Sequence, residues 1–492
     1  MRKYCLSLLL LLLTLVSNAV EPPKREIRGV WLTTVYGLDW PHNPATTETG
    51  QKAQQRDVCD ILDRLQDANF NTVFLQVRMR GDVIWRSAIE PASKIFSGKY
   101  GMMPGYDPLA FVVDECHKRG MECHAWFVTF PLGTDKSVIE QGKLSVVRRQ
   151  PKLCKRHNGE WYLDPGVPGT SDYVLSLVKE LVNGYDIDGI HFDYIRYPEQ
   201  AKYFPDKNLY NKYGKKRPLA EWRRENINKM VYRIYDWVKS VKPWIQVSSS
   251  PLGKYNRIER VPNAGWTAYE SVFQDPKMWM QNGKQDMIVP MMYYLHDNFF
   301  PFVDNWVDNC NGRLVVPGLG AYRMLKEEAD WTVNDITDQI DYSRYYGGVG
   351  CTFFRCANIL DNTKGIYDEL KDKYYKYPAQ LPPLSWLDDT VPAAPEEIRV
   401  EKEGDELKLS WQKPDSEKDV LTYTVYYSLT DSINPTSARN ILITGIRDTS
   451  IYLPVDTTSE RGYIFSVSSS TRYHIESVLS KETYYYLSKY PK

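Results

Sequence analysis

From residue 27 to about residue 375, short and nearly continuous apolar stretches alternate with longer segments whose apolar residues recur at helical spacing, and there are eight of each. The strand-like stretches are Arg28 to Tyr36, Thr72 to Val77, Glu122 to Val128, Ile187 to Asp193, Ile245 to Ser250, Met287 to Tyr293, Leu314 to Pro317 and Gly347 to Phe354. Most are rich in β-branched or aromatic residues, as parallel strands covered on both faces should be. Val58, Ile61, Leu62 and Leu65 mark the first helix, which Asn69 closes. Asp107-Pro108 reads as an N-cap with proline at the first helical position, in a helix ending at Gly120. Val174, Leu177, Val178 and Leu181 share one face of a third, and further patterns follow around Glu221 to Lys239, Pro276 to Asn282, Phe299 to Cys310, Val333 to Tyr342 and Ile366 to Tyr375. Eight alternations predict an α/β fold, a (β/α)8 TIM barrel over residues 26–376, rather than a doubly wound sheet. No GxGxxG follows the first strand, which weakens a dinucleotide-binding reading. About forty residues separate the third strand from its helix, and other long loops follow strands two, four and five. That side of a barrel carries the active site, so the loops predict a walled cleft.

Residues 377–394 break the pattern with Pro378, Pro382, Pro383 and Pro392 and read as a linker. Over residues 395–492, Ile398/Val400, Leu407/Leu409/Trp411, Tyr423/Val425/Tyr427 and Tyr463/Phe465/Val467 alternate with period two, which predicts a small all-β sandwich. With Trp411 and the Tyr423-Thr424-Val425-Tyr426-Tyr427 stretch, this tail resembles a fibronectin type III module. The resemblance implies spacing, or docking to the cell envelope, rather than chemistry.

At the other end, Arg2 and Lys3 precede an apolar run from Cys5 to Val16, followed by Ser17-Asn18-Ala19. This reads as a secretory signal peptide, residues 1–19, cleaved near Ala19, with a periplasmic or extracellular destination. No other stretch approaches the roughly 20 apolar residues of a membrane span, so no transmembrane anchor is expected. Among 492 residues, 62 basic side chains balance 62 acidic ones. Cleavage removes two basic residues and leaves a net charge of −2. Without a basic block there is no electrostatic footprint for nucleic acid. The 13% aromatic content, with 36 Tyr and 14 Trp, is more unusual and suits stacking on sugars. Seven cysteines remain after cleavage, with no CxxC, and the seven histidines show neither HxH nor HExxH spacing. Buried thiols with at most one disulfide, no metal and no cofactor are therefore expected.

The most informative string is Asp186-Ile187-Asp188-Gly189-Ile190-His191-Phe192-Asp193-Tyr194-Ile195-Arg196-Tyr197-Pro198. Period two places Gly189, His191 and Asp193 on one face, with Asp193 at the catalytic end of the fourth strand. A buried carboxylate needs a purpose: either chemistry, or an ion pair with Arg78 or Arg196. Trp31 and Thr33 from strand one, Gln76, Arg78 and Asp82 from strand two, and His124 and Trp126 from strand three stand at similar positions. Tyr293, Tyr294 and Tyr322 follow the sixth and seventh strands. Together these side chains describe a polar cleft with aromatic walls, suited to carbohydrate.

Arg28-Gly29-Val30-Trp31, Asn71 through Arg78, His124-Ala125-Trp126, Asp188 through Tyr194 and Val289-Pro290-Met291-Met292-Tyr293-Tyr294 occur in the order of a known family. On them the chain resembles the bacterial glycosyl-hydrolase-like family ten, related to divisome-associated glycosyl hydrolases, over roughly residues 26 to 375. The resemblance implies a glycoside hydrolase with bacterial cell-wall glycan as the leading substrate class. Asp188-Gly189-Ile190-His191-Phe192-Asp193 is also similar to the strand-four nucleophile motif of α-amylase-type barrels, with His191 in place of Arg. Strand five ends in Ser248-Ser249-Ser250-Pro251, without the Glu of those barrels. Glycoside hydrolysis normally takes two carboxyl groups. From Asp275, Glu270, Asp297 and Asp82, Asp275 is chosen as the second, although Asp275-Pro276 equally reads as a helix cap. The expected binding residues are Trp31, Gln76, Arg78, His124, Trp126, His191, Arg196, Tyr293, Tyr294 and Tyr322. A non-catalytic glycan-binding protein using the same cleft is the competing reading.

Overall fold

The computed structural model describes residues 22–214, 216–415, 420–429, 432–454 and 462–486, so the expected signal peptide lies outside the described residues. The barrel opens with β1 (Ile27–Leu32), α1 (Glu48–Asp67), β2 (Thr72–Arg78), α2 (Pro108–Lys118) and β3 (Glu122–Val128). Short strands β4 (Pro131–Thr134), β5 (Cys154–His157) and β6 (Glu160–Leu163) then form a separate antiparallel sheet inside the long third loop. The alternation resumes with α3 (Pro168–Gly184), β7 (Gly189–Asp193), α4 (Leu219–Val241), β8 (Gln246–Ser250), α5 (Pro276–Gln281) and β9 (Met287–Ile288). It ends with α6 (Phe300–Asp308), β10 (Leu314–Val315), β11 (Gly318–Leu319), α7 (Val333–Tyr346), β12 (Gly350–Phe353) and α8 (Ile366–Glu369).

Local chemistry explains the helix ends. The Thr47 side chain caps α1 by accepting from the Gly50 amide, and Asp107 caps α2 through the Ala110 amide. Thr332 and Asp335 form a reciprocal capping box on α7, which stops at Gly347 with φ 105°. Along α1, Gln54, Val58, Leu62 and Leu65 are buried at helical spacing.

Nine parallel strand segments make up the barrel sheet, but Pro317 interrupts one strand, so β10 and β11 share the seventh position. β10 pairs with β9 and β11 with β12, while β12 pairs with β1, which closes the ring. Inside it pack Trp31, Phe74, Trp126, Met287 and Val289, among others. At Gly189 a β-carbon would come 2.2 Å from His124 Nδ1, so glycine is what lets that ring lie across the barrel.

The tail is the expected sandwich. β13 (Glu396–Glu403), β14 (Glu406–Gln412) and β17 (Ser450–Pro454) form one sheet; β16 (Ile441–Ile446), β15 (Val420–Ser428), β18 (Tyr463–Thr471) and β19 (Thr483–Tyr485) form the other. Leu409, Trp411, Tyr423, Val425, Phe465 and Val467 fill the space between them. This module sits on the barrel face made by the N-terminal strand ends, opposite the expected cleft. His474 Nε2 meets Glu122 Oε1 at 2.7 Å, and Arg447 reaches Asp186 at 3.3 Å. The proline-rich segment, expected as a plain linker, packs against that face: Leu384 is buried with the barrel interior, and Trp386 Nε1 donates to Asp286 at 3.1 Å. All seven described cysteines are free thiols, and no described helix is long and apolar enough to cross a membrane.

Candidate active site

At the C-terminal ends of the strands, a cleft of about 320 Å³ is bounded by β1, β2, β3 and β7 and by the inserted hairpin. Its lining includes Trp31, Gln76, Arg80, Trp126, Glu160, Tyr162, Asp193, Tyr194, Ser250, Tyr293 and Phe354. Of these, Asp193 and Glu160 are the carboxylates.

Asp193 is the last residue of β7. Its Oδ1 accepts from the Tyr194 amide at 2.7 Å and its Oδ2 from Trp126 Nε1 at 3.1 Å. These donors fix both oxygens toward the cleft. Burial pushes its carboxyl above the ordinary aspartate range, opposed by Arg196 and by those donors. Tyr194, the next residue, has φ 50°, a left-handed conformation costly for a bulky side chain and characteristic of functional turns. Glu160 opens β6, half-exposed, with Tyr162 hydroxyl donating to its Oε2 at 2.8 Å.

The walls are aromatic. Trp31 lies 6.4 Å from Trp126 and 6.2 Å from Phe354 between ring centroids, and Tyr293 stacks on Phe354 at 5.7 Å. Trp31, Gln76, Trp126, Asp193 and Tyr293 thus come together as the sequence suggested. Gln76 does so partly as a brace, since its Oε1 accepts from the Thr34 and Val35 amides at 3.0 and 2.8 Å.

Other expected site residues stand elsewhere. Asp275 caps α5, its Oδ1 accepting from the Met278 amide at 3.3 Å and from Tyr255 hydroxyl at 2.9 Å, and it does not line the cleft. Arg78 is fully buried in a two-bond contact with Glu90, at 2.7 and 2.8 Å, and donates to the Val128 carbonyl and, at 2.9 Å, to the Thr129 carbonyl; it does not line the cleft. His124 lies low in the barrel, with Nε2 2.9 Å from Glu122 Oε2. His191 is buried beneath the cleft floor. Its Nε2 accepts from Trp31 Nε1 at 3.2 Å, and its Nδ1 is 2.9 Å from Ser248 Oγ. An indole can only donate, so the ring proton belongs on Nδ1, and burial holds the imidazole neutral by lowering its pKa well below the usual value. Tyr322 packs edge-on against Tyr293 at 5.6 Å, Tyr294 lies under Lys254, and Arg196 lies over Tyr194; these three border the cleft without lining it.

The residues missed by sequence reasoning are Glu160, Tyr162, Tyr194 and Arg80. A signal for the first two existed: Asn158-Gly159 precedes Glu160, and both take left-handed φ, 48° and 82°, as a tight hairpin turn requires.

Comparison with known proteins identifies relatives of this chain. Residues 26–306 match the sequence profile of the family described as Glycosyl hydrolase-like 10. The chain is 30% identical over 485 residues to glycosyl hydrolase YngK of Bacillus subtilis (strain 168), covering 93% of each chain. It is 33% identical over 343 residues to glycosyl hydrolase DigH of Escherichia coli (strain K12), covering 64% of this chain and 78% of that one. Among solved structures, the glycoside hydrolase domain of PgaB (BpsB) from Bordetella bronchiseptica aligns over 71% of this chain and 99% of that chain, at 14% identity and a TM-score of 0.48.

Proposed function

The chain belongs to the glycosyl hydrolase-like 10 family, and from that premise we propose that it is an exported glycoside hydrolase acting on a polysaccharide, with bacterial cell-wall glycan strands as its substrate class. The barrel, residues 26–376, carries the chemistry; residues 377–394 and the fibronectin type III-like module, residues 395–492, brace it from the opposite face. Export rests on the basic start, the apolar run and Ser17-Asn18-Ala19.

One observation carries the catalytic reading: Asp193 and Glu160 open onto one aromatic-walled cleft at the catalytic end of a barrel. Asp193, fixed by Trp126 and the Tyr194 amide, serves the anomeric side, in keeping with its likeness to the strand-four nucleophile of α-amylase-type barrels. Glu160, half-exposed on its hairpin, exchanges the proton with the leaving oxygen and with solvent. Trp31, Trp126 and Tyr293 supply ring faces for the sugars.

The test is mass spectrometry of products from peptide-stripped peptidoglycan strands, incubated with the mature protein or with Asp193→Asn. Fragments released only by the unmodified protein support hydrolysis through Asp193. Full release by the variant refutes its role. Strand five ends in Ser250 rather than an acid, which keeps the glycan-binding reading as the competitor. Binding without any cleavage, in both proteins, would establish that competitor.

A further inference from the structure

Five cationic side chains are buried among the described residues: Arg28, Arg78, Arg196, Arg223 and Lys254. A buried charge is costly unless paired. Arg28 meets Glu26 at 2.9 Å, Arg78 meets Glu90 at 2.7 Å and Arg223 meets Asp206 at 2.8 Å. Lys254 lacks a carboxylate but donates to the Ala264 carbonyl at 2.8 Å and to Asn298 Oδ1 at 2.6 Å.

Arg196 has neither kind of partner. It is 5% exposed, its Nε is fully buried without an acceptor, and no carboxylate among the described residues lies within ion-pair distance. Its guanidinium carbon sits 4.6 Å from the centroid of the Tyr194 ring, which lines the cleft. Its charge is felt at Asp193, Tyr162 and Tyr294, which surround the same mouth. Asp193, whose carboxyl this charge pulls down, stands beyond ion-pair distance, and its oxygens take their hydrogen bonds from the Tyr194 amide and Trp126. Arg80, which lines the cleft, is also free of carboxylates and donates to Tyr36 hydroxyl at 2.6 Å.

We infer, on the reading of the cleft as a glycan site, that Arg196 is a specificity-determining residue that binds a carboxylate on the substrate beside Asp193, which makes the preferred substrate an acidic glycan. A planar guanidinium matches a carboxylate with two parallel hydrogen bonds, whereas a neutral hydroxyl leaves the charge uncompensated. Arg80 reinforces the positive field at the cleft.

The test uses three glycans: peptide-stripped peptidoglycan strands, whose lactyl carboxylates are free; the same strands with those carboxylates converted to amides; and chitin oligosaccharides, which carry none. Cleavage is measured for the unmodified protein, Arg196→Gln and Arg196→Lys, with binding measured in the Asp193→Asn background. The unmodified protein should show a KM about 10- to 100-fold lower on the acidic strands. Measured above the acidic limb, which loss of this charge should raise through Asp193 on every strand, Arg196→Gln should erase that difference through KM, and Arg196→Lys should restore part of it. Equal KM on acidic and amidated strands overturns the inference. So does an Arg196→Gln defect of equal size on both, which would tie the arginine to Asp193 alone. Failure to bind or cleave any of the three glycans refutes the glycan reading itself, whereas indiscriminate use of all three refutes only the role of Arg196.

Discussion

Replacing Glu90 by Gln tests whether Arg78 belongs to the scaffold rather than to the cleft. Both side chains are wholly buried, so solvent screening does not weaken their contact. Glu90 accepts from Arg78 Nε at 2.7 Å, from Nη2 at 2.8 Å and from Tyr173 hydroxyl at 2.9 Å. Gln preserves the shape and one acceptor but removes the charge, and its amide nitrogen faces a donor. An uncompensated buried charge costs about 3–5 kcal/mol. One retained neutral hydrogen bond recovers roughly 1 kcal/mol, so the expected loss is about 3 kcal/mol in the urea unfolding free energy, followed by tryptophan fluorescence. The double variant Arg78→Met/Glu90→Leu should lose less than Glu90→Gln, because no orphaned charge remains. Glycan KM should be unchanged for the folded fraction of either. A Glu90→Gln protein within about 1 kcal/mol of the original, or one with a raised KM and intact stability, would refute the scaffold assignment.

Glu160→Gln should lower kcat on unactivated glycans by about 10²- to 10⁴-fold while sparing substrates with aryl leaving groups that depart without protonation; equal loss on both would deny it the proton-donor role. Asp275→Asn should leave activity unchanged and stability within about 0.5 kcal/mol, since Asn caps helices as well as Asp; loss of kcat would restore Asp275 to the mechanism. Activity should fall as pH drops through the elevated Asp193 pKa, because the anomeric role needs the carboxylate; a pH profile with its acidic limb in the ordinary aspartate range contradicts that assignment. The Glu122 charge raises the His474 pKa above its ordinary value despite burial, so protonation of His474 contributes stability that is complete below about pH 6.5 and lost as pH rises through the folded-state pKa. Melting temperature should therefore decline on the alkaline side in the unmodified protein more than in His474→Gln, and parallel curves would contradict it.

What was legible in the sequence is what local patterning encodes. β3 begins and ends at the expected Glu122 and Val128, and Asp107 caps its helix as read. The same Asp-Pro signal at Asp275 carries the same meaning, and the loop around it offers nothing to outweigh a cap. Arg78 looked like a cleft residue because its position at the end of β2 is visible in the sequence, whereas Glu90 reaches it only through the folding of the second loop. His124 likewise sits on a strand with the right alternation, but its neighbourhood is decided by Glu122 and, through it, by His474 from the distant module. Glu160 was hidden for a related reason. Its hairpin lies in a forty-residue insertion where apolar periodicity carries no information, and only the Asn158-Gly159 turn marks it.

The barrel interior also separates stability from chemistry along its axis. At the lower end, Glu122 binds His474 at 2.7 Å and His124 at 2.9 Å, and it takes a hydrogen bond from Gln246 at 2.9 Å. Above this network lies Phe74, with its ring 5.1 Å from His124 and 4.6 Å from His191. A phenyl ring neither donates nor accepts a conventional proton, so it interrupts hydrogen bonding between the two imidazoles. Above it, His191 is neutral and committed to Trp31 and Ser248, and it too offers Asp193 no proton. The module face can therefore titrate without passing a proton along this line to the cleft. On the catalytic reading proposed above, the protons of the reaction come from the cleft, where Asp193 and Glu160 stand beside the hydroxyls of Tyr162, Tyr194 and Tyr293, and not from the Glu122 network; the contribution of His474 to stability and the pH profile of activity should therefore be separable.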